Sequence, residues 1–158
     1  MKLSLHCIGK LSAAWLQDGA KDYAKRISRY LPLSIEELKE AKLGGKKADS
    51  RQIIQQEGAQ LLARVPRGAY TVALDERGKL FSSAELADFL NQHMLNGTPE
   101  INFIIGGAYG LSDELKEMSQ LRMSLTPMTL THQMARVLLL EQLYRGMTII
   151  RNEPYHNR

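Results

Sequence analysis

Residues 100–111 read EINFIIGGAYGL, an apolar run that stops at two adjacent glycines. A short run of this kind bounded by glycine marks a buried strand that ends in a tight turn. Such a strand needs neighbours, and outward from it short apolar runs alternate with longer amphipathic segments. Residues 2–8 (KLSLHCI), 32–38, 69–74 (AYTVAL) and 121–125 (LRMSL) read as further strands. Between them lie helical spacings. Trp15, Leu16, Tyr23, Ile27 and Tyr30 recur through 12–30, with Lys21, Lys25, Arg26 and Arg29 interleaved. Helices are also predicted over about 50–64, 83–95, 113–119 and 132–147.

Local signals set the boundaries. Asp49 with Gln52, and Ser82 with Glu85, have capping-box spacing. Ser112 or Asp113 opens the short helix, Thr131 caps the last one, and Pro32 ends the first. Asp75 to Gly78 are expected to turn the chain, and Gly44 and Gly45 with three lysines mark a basic loop. Strands alternating with helices predict an α/β fold with a mainly parallel sheet covered on both faces. The chain has 158 residues, which suits one domain over 1–158.

Composition narrows the class of function. The formal charge is +4, which mildly favours a polyanionic partner. The single cysteine, Cys7, has no internal disulfide partner and implies a reducing compartment. No run is long and apolar enough to span a membrane, and the N-terminal apolar run is too short for a signal peptide, so a cytoplasmic protein without membrane association is expected. His6, His93, His132 and His156 show no metal-ligand spacing, and no metal is expected.

In open α/β sheets ligands bind beyond the carboxyl ends of the strands. Three segments qualify: Leu74-Asp75, the glycine segment 105–111, and Leu125 to Leu130 before the last helix. The glycine segment lacks the G-x-G-x-x-G spacing and its first-strand position, which rules out a dinucleotide fingerprint. Its pattern fits either a plain turn into a helix or a backbone that approaches a ligand closely. Leu125–Leu130 fits either a connecting loop or an apolar slot for an adenine ring. The last helix is apolar over more than one face, so it is buried or shared with another subunit. Glu141 and Arg145 stand at ion-pair spacing, and Arg136 is the better candidate for binding a phosphate.

Taken together, IIGGAYGL (104–111), SLTPMTLTHQMARVLLLEQLYR (124–145) and Pro154-Tyr155-His156, with the opening MKLSLHCIGK and the GGKKAD segment, resemble the ribosomal RNA large subunit methyltransferase H family, the smallest of the SPOUT methyltransferases. The resemblance runs essentially the full length. It implies a C-terminal deep trefoil knot, a homodimer packed through the last helix, and S-adenosyl-L-methionine as methyl donor. The implied reaction is methylation of N3 of a pseudouridine in 23S ribosomal RNA, within the large subunit or 70S ribosome.

Carried over by position, the resemblance places the cofactor on Leu74, Gly106, Leu125, Thr126, Pro127, Met128, Thr129 and Leu130. Pro127 has no N–H to offer an adenine. His156 is expected to handle the proton leaving N3, Tyr155 to stack on or hydrogen-bond the base, and Arg136 to hold phosphate or developing charge. Lys42, Lys46, Lys47, Arg51 and the basic side of the first helix are expected to meet RNA. A ribosome-binding factor without catalysis, and a methyltransferase with another substrate, remain the alternatives.

Overall fold

The structure is a computed structural model that describes residues 1–42 and 49–157. Gly44, Gly45, Lys46 and Lys47 of the expected basic loop lie outside the described residues.

Among the described residues five strands and five helices alternate. They are β1 (Lys2–Ile8), α1 (Ala14–Ile27), β2 (Leu33–Leu38), α2 (Ser50–Leu62), β3 (Tyr70–Leu80), α3 (Ser83–Leu95), β4 (Glu100–Ile105), α4 (Asp113–Met118), β5 (Leu121–Ser124) and α5 (His132–Ile150). The sheet order is β2-β1-β4-β3-β5, and every named pairing is parallel. Side chains alternate across a strand, so each strand feeds both faces. Leu3, Leu5 and Cys7 of β1 and Ile101, Phe103 and Ile105 of β4 join Leu16, Leu90, Leu139 and Leu143 under α1, α3 and α5. Ile8 and Ile104 point the other way, onto Leu61 of α2 and Leu115 of α4. This is the doubly covered parallel sheet that the sequence predicts.

The caps follow sequence chemistry closely. Ser82 and Glu85 form the reciprocal capping box, Thr131 accepts from the N–H of Met134, and Ser112 rather than Asp113 caps α4. Asp49 caps α2 by accepting from the N–H of Arg51, without a reciprocal bond from Gln52.

The expected end of the third strand is corrected. β3 does not turn away at Asp75–Gly78 but continues to Leu80. Leu74 and Lys79 both pair with Met123, so residues 75–78 bulge out between two stretches of one ladder. Gly78 makes the return possible, because a Cβ there would lie 2.7 Å from the backbone carbon of Arg122 and the backbone nitrogen of Met123. The bulge carries Asp75, Glu76 and Arg77 to the carboxyl end of the sheet.

Candidate cofactor cleft and C-terminal cluster

Three loops meet at the carboxyl edge of β3, β4 and β5: the bulge 75–78, the glycine turn 106–111 and the segment 125–131. They enclose a cleft of about 1030 Å3. The fold thus joins the three segments singled out from sequence. Leu74, Gly106, Leu125, Thr126, Met128, Thr129 and Leu130 all line the cleft. Pro127 does not line it and is exposed, so its missing N–H removes no donor from the wall.

The walls are tied to one another. Thr129 Oγ1 donates to Glu76 Oε2 at 3.2 Å, joining the 125–131 segment to the bulge. Lys116 Nζ lies 3.4 Å from Asp75 Oδ2, joining α4 to the bulge. Ser124 Oγ donates to the carbonyl of Thr126 at 2.9 Å, and the Met128 N–H donates to Thr126 Oγ1 at 3.2 Å, which shapes the segment. In the glycine turn, Gly110 has φ +86° and its N–H donates to the Gly107 carbonyl at 3.1 Å. A Cβ on Gly106 would lie 2.6 Å from the Gly110 carbonyl oxygen, so only glycine lets the turn close here.

The lining suits a flat apolar ring. Leu125, Met128 and Leu130 supply apolar walls, while the glycine backbone permits close approach. His132, the first residue of α5, also lines the cleft. Burial lowers the pKa of its imidazole, outweighing the raising effect of Glu40.

Beneath the glycine turn lies a carboxylate that the sequence did not flag. Glu57 of α2 is buried, accepts from the Ala41 N–H at 3.1 Å through Oε1, and leaves Oε2 without a partner among the described residues. Burial pushes its carboxyl above the usual carboxylate range.

The expected catalytic residues are not gathered at this cleft. Arg136 is corrected. It is 1% exposed, and its guanidinium donates to Glu37 Oε2 at 2.6 Å and to the carbonyls of Ile8 and Gly9 at 3.3 and 2.8 Å. It shares the inward face of α5 with Leu139, Leu140 and Leu143 and fastens α5 to the ends of β1 and β2. A group so enclosed does not meet an RNA phosphate.

Tyr155 and His156 form a cluster against the far half of α5. The Tyr155 hydroxyl donates to Glu141 Oε1 at 3.0 Å and lies 3.4 Å from the Tyr23 hydroxyl. Its ring packs edge-on to Tyr144, with the Arg145 guanidinium 4.6 Å from its centre. Arg145 pairs with Glu141, as the spacing predicts, and also reaches His156 Nδ1 at 3.4 Å. Burial, then the contacts with Tyr23 and Glu141, push the Tyr155 phenol well above its ordinary pKa, so it stays a hydroxyl that donates. Arg145 is the cluster member that spacing alone assigned only to a salt bridge.

The match to a family model settles the relationship. Residues 1–156 match the model described as predicted SPOUT methyltransferase. The chain belongs to the SPOUT methyltransferase family. Ribosomal RNA large subunit methyltransferase H of Syntrophotalea carbinolica is 56% identical over 158 residues, covering 100% of both chains. The protein of that name from Citrifermentans bemidjiense is 47% identical over 157 residues, covering 99% of both. Among solved structures, a probable methylase family protein from Haemophilus influenzae shares the fold with a TM-score of 0.55 at 15% identity, over 99% of this chain and 70% of that one. TrmJ from Z. mobilis does so with a TM-score of 0.51 at 13% identity, over 99% and 73%. As a SPOUT methyltransferase, the chain is an enzyme, and the glycine turn and the 125–131 segment line one large cleft. Among the described residues no helix is long and apolar enough to cross a membrane, and no group of three metal-ligating side chains occurs.

Proposed function

We propose that this SPOUT methyltransferase uses S-adenosyl-L-methionine to methylate N3 of a pseudouridine in 23S ribosomal RNA, on the large subunit or 70S ribosome in the cytoplasm, as a homodimer whose C-terminal part is knotted. Full-length similarity to relatives named for large-subunit ribosomal RNA supports the substrate.

One observation carries the assembly. The cleft is lined by α5 only up to Ala135, whereas the Tyr155–His156 cluster packs on Glu141 and Arg145. At about 1.5 Å per residue these lie roughly 9 to 15 Å further along the helix. One chain therefore holds a cofactor cleft and a titratable cluster that do not meet. A second copy, packed through α5, brings its own cluster to the cleft. The outer face of α5 suits such packing: Met134 is exposed, and Val137 and Leu138 are only partly buried.

When bound, S-adenosyl-L-methionine supplies a methyl group already activated by its sulfonium. The protein has to align the base and accommodate the charge left as the N3 proton departs to solvent water. Arg145 can only donate, so its contact with His156 Nδ1 leaves the hydrogen of the neutral ring on Nε2. In this reading that N–H holds an imide oxygen as negative charge builds there, while Tyr155, whose single O–H is taken by Glu141, packs against the base. Lys42, Arg51, Lys21, Lys25 and Arg29 are exposed and offer phosphate contacts.

The test uses large subunits from cells lacking the gene. The enzyme should transfer labelled methyl to them, and mass mapping should place the label on N3 of one pseudouridine. Cofactor binding by calorimetry without methyl transfer would support a non-catalytic ribosome-binding factor instead. Transfer to a different acceptor would assign another substrate.

A further inference from the structure

The chain has one tryptophan, Trp15. It stands in the first turn of α1, 65% exposed, on the wall of the cofactor cleft. Tyr109, in the glycine turn, is 56% exposed and lines the same cleft. Single exposed apolar residues are ordinary. Two large aromatic rings from separate elements, both open to water over one catalytic cleft, form a platform for something flat.

The surroundings say what kind of flat group. Arg77 of the bulge is exposed, lines the cleft, and has no carboxylate partner among the described residues. Lys10, just before α1, is exposed too. Aromatic faces beside unpaired cations are the means by which proteins hold unpaired nucleic acid, bases stacking on the rings while cations meet phosphate. Space allows it. At about 1030 Å3 the cleft stands at the upper end of the roughly 300–1,000 Å3 usual for ligand sites. Trp15 lines the same cleft as Gly106 and the 125–130 segment.

We infer that Trp15, with Tyr109 lining the same cleft, stacks on the unpaired RNA base that accepts the methyl group, and that Arg77 contacts the phosphate of that nucleotide. This rests on the proposed function and names the part of the chain that grips the acceptor. The role is binding and orientation: the ring presents the edge of the base to the methyl donor, while the partner's C-terminal cluster approaches from the other side.

Three variants test it: Trp15→Phe, Trp15→Leu and Trp15→Ala. Each is measured for S-adenosyl-L-methionine affinity by calorimetry, oligomeric state by sedimentation, affinity for unmodified large subunits by filter binding, and kcat/KM on those subunits. Stacking of one base predicts a roughly 5- to 150-fold loss of kcat/KM for Leu and Ala, with weaker subunit binding. Phe keeps a π face and should stay within about fivefold of wild type. Cofactor affinity and oligomeric state should not change. Trp15→Leu acting like wild type would overturn the inference while leaving the proposed function intact. A loss explained wholly by weaker cofactor binding would overturn it as well, by assigning Trp15 to the cofactor. Dissociation of the oligomer would assign Trp15 to a subunit contact and overturn it too. If wild type binds cofactor but methylates no RNA, the proposed function fails, and the inference with it.

Discussion

A methyl group on Gly106 would sit 2.6 Å from the carbonyl oxygen of Gly110 and 2.7 Å from its carbon, both backbone atoms with little room to retreat. Gly106→Ala should therefore open the turn, cost about 1–3 kcal/mol of stability, and weaken S-adenosyl-L-methionine binding more than tenfold by calorimetry. Glu57 makes a different case, because its effect depends on pH. Burial raises its carboxyl pKa in the fold, more than the Ala41 N–H lowers it, and Glu40 adds to the rise. A carboxyl raised in the folded state contributes stability below its unfolded pKa and loses it as pH climbs through the raised value. Glu57→Gln removes that loss. The melting temperature of the variant minus that of wild type should become more positive from pH 4 to pH 8 by calorimetry. A difference that does not change with pH would show the carboxylate to be free of a burial penalty. At this scale the segments that line the cleft were legible because each follows the carboxyl end of a strand. Glu57 was not, since nothing in a helix sequence reveals which turn it will lie beneath.

Arg136 shows what an element adds. Its number was readable but its direction was not, because α5 is apolar around much of its circumference and gives no clear inward face. Only the packed structure puts Arg136 on the side of Leu139 and Leu143. Removing one member of a buried pair strands the other, and here it also leaves the Ile8 and Gly9 carbonyls without this donor. Glu37 keeps 38% of its side chain exposed, so rehydration softens the penalty. Arg136→Ala should lose about 3 kcal/mol in urea unfolding, whereas His156→Ala should unfold close to wild type yet methylate poorly. The contrast separates the residue that holds the helix in place from the one assigned to chemistry. β3 teaches the same lesson. The sequence Asp-Glu-Arg-Gly reads as a chain reversal, but a bulge and a chain reversal share those residues. What decides between them is the β5 backbone lying against Gly78, a contact between distant parts of the chain.

For the whole molecule, alternation of strands and helices was enough for a parallel sheet with two covered faces, but not for the order β2-β1-β4-β3-β5. Nor does pattern reveal a knot, which is a property of the path and not of any segment; that expectation rests on the resemblance. The same holds for a site divided between two copies. If each catalytic centre takes its cleft from one chain and its C-terminal cluster from the other, two inactive variants should restore activity together. His156→Ala keeps an intact cleft, and Gly106→Ala keeps an intact cluster. With two different affinity tags, the mixed dimer can be purified away from both parents. In a divided arrangement one of its two sites pairs the sound cleft with the sound cluster, and the other pairs both defects. The mixed dimer should therefore show roughly half the wild-type rate on unmodified large subunits, while each parent alone stays near background. A mixed dimer as inactive as its parents would place cleft and cluster of the same chain together, requiring the C-terminal residues to leave Glu141 and Tyr23 and travel along α5 to reach the methyl donor.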